Sequence, residues 1–253
     1  MAVNRRKRRR RKLSWYIIWY TILFFFLAAV FTTIISLPIW QITEVKTEGL
    51  RLLNPSEIIR LAGVPLSENI FLTRFDNSRR RLLNLPLVKK VDFARALPGT
   101  VVIKVTERRE TAIAVIGGQS VLIDEEGVIL NPTVTGEVHV EFPDISNLPV
   151  VNGIRPEWIE QGRLSGETGG SVIELLKEFK HLISPTKLQV EVGDPEDINL
   201  LVDDTLRVRI GDSGKLNRKI EVFEAVFKEN QDRKNDLLYI DVRYPDYPTV
   251  KFK

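Results

Sequence analysis

The 253-residue chain has no cysteine. That excludes a disulfide framework, a thiolate metal site and a cysteine nucleophile. Its two histidines, His139 and His181, leave little from which to build a histidine metal site or a Ser-His-Asp triad. A basic excess is also missing from most of the chain. The formal net charge is +4, but eight of the 37 basic residues lie in the first twelve positions, so residues 13–253 hold 29 basic against 33 acidic residues, a net of −4. The high pI belongs to a short tail and does not mark the remainder as a nucleic-acid-binding domain.

Charge is wholly lacking from Leu13 to Leu37, a run of twenty-five residues. As a helix rising about 1.5 Å per residue it spans roughly 37 Å, enough to cross a hydrocarbon core of about 30 Å with some tilt. Trp15, Tyr16, Trp19 and Tyr20 cluster at one end and Trp40 lies past the other, the places of interfacial aromatic belts. The run exceeds the roughly 7–15 apolar residues of a cleaved secretory signal, and its small pair, Ala28-Ala29, sits inside it. An uncleaved anchor is expected, with Pro38 as its stop.

Arg5, Arg6, Lys7, Arg8, Arg9, Arg10, Arg11 and Lys12 precede the run, whereas Ile39 to Thr43 carry no basic residue. The positive-inside rule then puts residues 1–12 in the cytoplasm as a basic tail, residues 13–37 across the membrane, and everything later outside the cytoplasm. The tail also suits anionic lipid headgroups.

Beyond the anchor, Gln41 to Glu48 reads as a strand. Asn54-Pro55-Ser56-Glu57 opens a helix that Gly63 ends. A second helix covers Asp76 to Asn84, and Val88 to Ala94 and Val101 to Thr106 alternate as a strand pair around Leu97-Pro98-Gly99. Residues 40–108 thus form a β-α-α-β-β unit. Arg108-Arg109-Glu110 marks a change of pattern, and Glu107 to Glu110 reads as a solvated hinge. Thr111 to Ile116, Ser120 to Asp124 and Val128 to Leu130 follow as short strands, and residues 131–170 are irregular. Ser171 to Leu182 reads as a helix capped by Ser171 after a glycine-rich loop. Leu188 to Val192, Ile198 to Val202 and Leu206 to Ile210 are strands, the last two joined at Asp203-Asp204. Lys215 to Glu229 is an amphipathic helix, with Leu216, Ile220, Phe223 and Phe227 at helical spacing. Leu237 to Val242 and Thr249 to Phe252 close the chain. The expected fold class is α+β, with residues 109–253 a mainly antiparallel sheet carrying two helices.

Val45-Lys46-Thr47-Glu48-Gly49, Asn69-Ile70-Phe71, Leu85-Pro86-Leu87-Val88, Leu97-Pro98-Gly99-Thr100 and Val105-Thr106-Glu107-Arg108 together resemble the POTRA domain of the bacterial cell-division family FtsQ/DivIB. Leu122-Ile123-Asp124-Glu125-Glu126-Gly127, Leu148-Pro149-Val150-Val151-Asn152-Gly153 and Ile240-Asp241-Val242-Arg243-Tyr244 resemble that family's second, β domain in the same order. The resemblance implies a non-enzymatic bitopic protein of the divisome, anchored in the plasma (inner) membrane at the septum, with its ectodomain in the periplasm or outer wall space. It implies recruitment of other division proteins and regulation of septal peptidoglycan synthesis. The implied partners are small bitopic proteins of the FtsB/DivIC and FtsL type, with others on the POTRA domain, and no nucleic acid or small-molecule substrate. The implied partner site is Tyr239, Ile240, Asp241, Val242, Arg243 and Tyr244 with Thr249, Val250, Lys251 and Phe252. Where the family often has a glycine-containing turn after Arg-Tyr, this chain has Pro245-Asp246-Tyr247-Pro248.

The competing reading is an anchored wall or polysaccharide hydrolase, which needs two acids converging in a cleft. Asp124, Glu125, Glu126 and Asp194, Glu196, Asp197 fall in expected turns, where acids are common anyway. Gly166 to Ser171 lacks the lysine of a phosphate loop. No catalytic residue, cofactor or metal is therefore assigned.

Overall fold

The computed structural model describes residues 4–130, 145–183, 186–193 and 197–253, with side chains from Ser14's successor Trp15 onward. Helix α1, Asn4–Ile35, is one continuous helix, so the basic residues and the apolar run share an axis. Its part Trp15–Ile35 is long and apolar enough to cross a membrane, and none of its most apolar stretch is buried. The hydroxyls of Thr21, Thr33 and Ser36 each donate to the carbonyl four residues earlier at 2.8 Å, which satisfies them without water.

By its contacts the chain forms two compact units, one with residues 1–50, 55–82 and 91–105, the other with residues 51–54, 83–90 and 106–253. Residues 40–108, most of which lie in the first, hold β1 (Glu44–Glu48), α2 (Pro55–Ala62), α3 (Asp76–Leu83), β2 (Val88–Ala96) and β3 (Thr100–Glu107) in the expected β-α-α-β-β order. The sheet order is β1-β3-β2, with β1 and β3 parallel. Ile58 and Ala62 of α2 and Leu82 of α3 are buried along with Ile42, Ile70, Val101 and Ile103. Burying each large side chain contributes about 1.5–3 kcal/mol.

The second unit holds β4 (Glu110–Ile116), β5 (Gln119–Asp124), β6 (Val150–Ile154), a two-residue pair β7 (Ile159–Glu160) and β8 (Arg163–Leu164), α4 (Gly166–Ile183), β9 (Leu188–Val192), β10 (Ile198–Val202), β11 (Leu206–Gly211), α5 (Leu216–Glu229), β12 (Leu237–Asp241) and β13 (Thr249–Phe252). Eight of these strands make one sheet in the order β13-β12-β11-β10-β9-β6-β4-β5. Four of its seven pairings are antiparallel, and the parallel ones are β4 with β6, β6 with β9 and β11 with β12. Helices α4 and α5 lie in the last two connections, as parallel neighbours require crossovers. Val172, Leu175, Leu176 and Phe179 of α4 and Leu216, Ile220 and Phe223 of α5 are buried in one core with the strands. Phe179 and Phe223 stack at 4.6 Å. At Gly153 (φ 83°) a side chain would run into the Val192 carbonyl, so only glycine lets β6 and β9 lie together there.

Several expectations are corrected. Gln41 stands outside β1 in an isolated bridge to Asn69. Residues 128–130 form no strand; Ile129 and Val128 make single bridges to Ile123 and Arg163. Ser171 does not cap α4, because the helix already starts at Gly166 and the Ser171 hydroxyl donates to the Glu167 carbonyl. A Cβ at Gly169 would sit 3.2 Å from the Leu164 backbone, so this glycine serves close packing inside a helix, not a loop. Of the stretch expected to be irregular, residues 131–144 lie outside the described residues, as do His139, Asp194 and Glu196.

The expected solvated hinge at Glu107 to Glu110 is instead a fixed ionic cluster of the second unit. Glu107 is 9% exposed and accepts the backbone N–H groups of Arg51, Leu52 and Leu53 at 2.8, 2.9 and 3.0 Å. Three converging amides hold one carboxylate, which no solvated turn offers. Arg51 donates twice to Glu110, at 3.1 and 2.6 Å. Arg108 donates to Asp124 and Glu126 at 2.6 and 2.8 Å, and Lys89 pairs with Glu125 and Glu126. Hydrogen bonds from Arg108 and then Lys89 hold the Glu126 carboxyl down at about 2.

Candidate partner-binding edge

Strand β13 lies at one end of the eight-stranded sheet and, among the described residues, has a strand on one side only. Its register against β12 is Asp241↔Thr249, Ile240↔Val250, Tyr239↔Lys251 and Leu237↔Phe252. Alternation sends Val250 and Phe252 toward the core and leaves Thr249 and Lys251 exposed. The end of the strand is held by Lys253, which donates to the carbonyls of Asp236 and Asn235 at 2.9 Å, and by Arg233, whose guanidinium lies 4.1 Å from the Phe252 ring centroid.

The ten residues expected to bind a partner divide by face. Ile240 and Val242 are buried and Val250 and Phe252 half-buried, so these four side chains pack toward the sheet's core. Tyr239 and Asp241 are half-buried on the outer face, and Arg243, Tyr244, Thr249 and Lys251 are exposed. Tyr244 and Tyr247 are 72% and 84% exposed, in the loop that joins β12 to β13 and contains Pro245 and Pro248. Arg5, Arg6, Lys7, Arg8, Arg9, Arg10, Arg11 and Lys12 fall on the first turns of α1.

Arg243 folds back onto its own strand. Its guanidinium grips Asp241 two residues earlier, with Nη2 to Oδ2 at 2.7 Å and Nε to Oδ1 at 3.0 Å, and the Tyr239 hydroxyl donates to the same carboxylate at 2.6 Å. Burial disfavours the charged carboxylate, but the hydrogen bonds from Arg243 and Tyr239 outweigh it and hold Asp241 below its usual range. Burial and the bond to Asp241 push the Tyr239 hydroxyl up, so it stays a donor. A Cβ at Gly211 would lie 2.9 Å from Arg243 Cγ; the glycine leaves room for the arginine across the end of β11.

Two arginines complete the face. Arg207 and Arg209 on β11 stand beside Tyr239 and Asp241, and Arg209 lies 5.5 Å from the Tyr239 ring. Arg207, Tyr239 and Lys251 form one row across three strands, and Arg209, Asp241 and Thr249 the next. A shallow depression of about 440 Å³ opens between Thr205, Arg207, Arg209, Leu238, Tyr239 and Lys251. Sequence reasoning missed these arginines, although the alternation Arg207-Val208-Arg209-Ile210 carried the signal: a strand with buried valine and isoleucine must turn both arginines to the other face. The surface is cationic and aromatic beside an open strand edge. It brings together no nucleophile and base, and among the described residues no three Asp, Glu or His side chains gather as metal ligands would.

The family profile for the FtsQ-type POTRA domain matches residues 41–108, and that for the C-terminal region of cell division protein FtsQ/DivIB matches residues 112–243. Cell division protein FtsQ of Koribacter versatilis is 28% identical over 209 residues, which cover 79% of this chain and 57% of that protein. FtsQ of Geotalea daltonii is 26% identical over 88% of this chain and 79% of its own length. Cell division protein DivIB of Clostridium acetobutylicum is 26% identical over 79% of this chain and 84% of its own length. This chain therefore spans little more than half of the Koribacter relative but most of the other two.

Proposed function

The chain belongs to the FtsQ/DivIB family of cell-division proteins, which are not enzymes, and from that footing we propose that it is a membrane-anchored assembly platform of the divisome. Its helix α1 holds it in the plasma membrane at the septum. Residues 1–12 are a cytoplasmic tail, residues 13–37 the span, and residues 40–108 and 109–253 the POTRA and β domains on the wall side. The POTRA domain serves other divisome proteins, and the β domain recruits small bitopic partners of the FtsB/DivIC and FtsL type, through which the protein regulates septal peptidoglycan synthesis.

The observation that carries this reading is the open edge of β13 beside the cationic face. An extended partner segment can add a strand to such an edge through backbone hydrogen bonds, while side chains at alternate positions supply specificity. Arg207, Arg209 and Lys251 favour acidic residues on that segment, and charge complementarity of this kind speeds encounter and fixes register. Exposed Tyr244 and Tyr247 offer aromatic anchors.

The test is a deletion of residues 249–253 in the full chain, followed by cross-linking and pull-down from membranes. Loss of the FtsB/DivIC-type partner with the rest of the protein folded is the expected result. Undiminished capture would rule out this edge.

A further inference from the structure

We infer that the apolar loop 66–72 and the turn 96–99 rest on the outer leaflet of the membrane that α1 crosses, as a lipid-docking surface of the first unit. The inference depends on α1 being a membrane anchor and adds a second contact with lipid.

The twenty-one residues Trp15–Ile35 span about 31 Å as a helix, the thickness of a hydrocarbon core. Ile35 then lies at its boundary. The last carbonyls of a helix lack partners within it. Here Ile34 O accepts from Trp40 Nε1 at 2.8 Å, and Ile35 O accepts from Asn69 Nδ2 at 2.6 Å. A group bonded to the last carbonyl of a spanning helix sits in the headgroup layer, and Asn69 carries the whole loop with it. Backbone bonds fix the loop there: Ile70 N–H donates to Trp40 O at 2.8 Å, Ile42 N–H to Glu68 O at 2.8 Å and Ser67 N–H to Ile42 O at 2.9 Å. Phe71 meets the Trp40 ring edge-on at 5.3 Å, and Arg95 braces the loop from behind by donating to Ile70 O and Thr73 O. Thr43 N–H donates to Gly99 O at 2.8 Å, which brings the 96–99 turn to the same end.

Beside exposed Ser67 and Glu68, these segments hold out large apolar side chains. Nine large hydrophobic side chains are exposed outside α1 among the described residues, and six of them are Leu37, Ile39, Leu66, Phe71, Leu72 and Leu97. Leu72 is 72% exposed and Leu66 61%. Leucines held out at this level in water have no counterpart in the rest of the unit, but they suit the boundary between headgroups and acyl chains, which takes apolar groups about 5–10 Å deep. Continuity with the lipid-facing surface of α1 identifies the occupant as phospholipid and not a protein.

The chain has no cysteine, so one residue at a time can carry a fluorophore. The full-length variants Leu72→Cys, Leu97→Cys, Tyr20→Cys and Lys104→Cys are labelled and placed in phosphatidylcholine–phosphatidylglycerol nanodiscs with lipids brominated on the acyl chains. Lys104 is the exposed control, because it lies four residues along β3 from Thr100, about 13 Å farther from the helix exit. The labels at Leu72 and Leu97 should be quenched by brominated lipid about threefold more than that at Lys104. If Tyr20 is quenched and Leu72 no more than Lys104, the anchor stands and the docking surface is overturned. If Leu72 is shielded from both lipid and aqueous iodide, a protein covers it and lipid docking is wrong. An unquenched Tyr20 would overturn the anchor and this inference with it.

Discussion

The eight-stranded sheet ends in β5 on one side and β13 on the other, and the two edges are finished differently. Beyond β5, Asp124 and Leu130 donate backbone N–H groups to Val128 O and Leu122 O, so residues 128–130 cover the second half of the strand. Asp124, 1% exposed, is clamped by Arg108 and accepts the N–H groups of Glu126 and Val128 at 2.9 and 2.8 Å. Strand β13 has no such cover among the described residues, and its neighbourhood is exposed tyrosine and the exposed arginines of β11. Proteins ordinarily blunt an edge to prevent promiscuous pairing. This one spends a buried carboxylate and a cation cluster on closing one edge and only two flanking prolines on the other. The contrast is what supports the proposal that β13 receives another chain.

The largest effect should come from unlocking the closed edge. Asp124→Ala leaves two amides without their acceptor and Arg108 with Glu126 alone, and should cost about 3 kcal/mol of stability in denaturant titrations. A loss under about 0.5 kcal/mol would show that the cluster does not hold β5 and erase the contrast. Next is the open edge. Arg207→Glu with Lys251→Glu should weaken capture of the membrane partner about tenfold, or about 1.4 kcal/mol, and flatten its salt dependence, with thermal stability unchanged. Equal loss of folding would mean these side chains support the sheet instead.

Acid provides a gentler test of the clamp. Glu126 has its folded carboxyl lowered from 4.5 to about 2, so its bonds to Arg108 and Lys89 add stability above about 4.5 and lose it as pH falls toward about 2. Unfolding free energy should therefore decline across that window, and Glu126→Gln should make the decline shallower; an unchanged slope would remove Glu126 from the clamp. The smallest effect is expected for Tyr247→Ala. At 84% exposure it should alter stability by less than about 0.5 kcal/mol while lowering partner capture. A large drop in melting temperature would show the loop to be structural.

Much of this was legible without coordinates, for reasons that differ by element. The anchor is a long charge-free run, and α5 has apolar residues at one helical spacing, so composition and local period suffice for both. Glycine misled at α4, since Gly166 to Gly170 reads as a loop until Leu164 is seen packed against Gly169. Parallel neighbours such as β6 beside β9 are set by distant segments and leave no local pattern. Glu107 to Glu110 looked solvated because the amides of Arg51 to Leu53 that receive Glu107 lie more than fifty residues away. At the candidate site, Tyr239 to Phe252 could be named from family likeness, but which side chains face outward, and that Arg207 and Arg209 join them, follows only from register.

The alternation of segments between the two compact units has a practical side. Each unit is made of three stretches, so the chain passes between them five times and no single cut separates them. A soluble fragment begun at residue 109 would keep Glu110, Asp124 and Glu126 while discarding Arg51, Arg108 and Lys89, the cations that neutralise them. Anyone dissecting this protein for binding or crystallisation should begin the fragment upstream of residue 51, or accept acids stripped of their counterions.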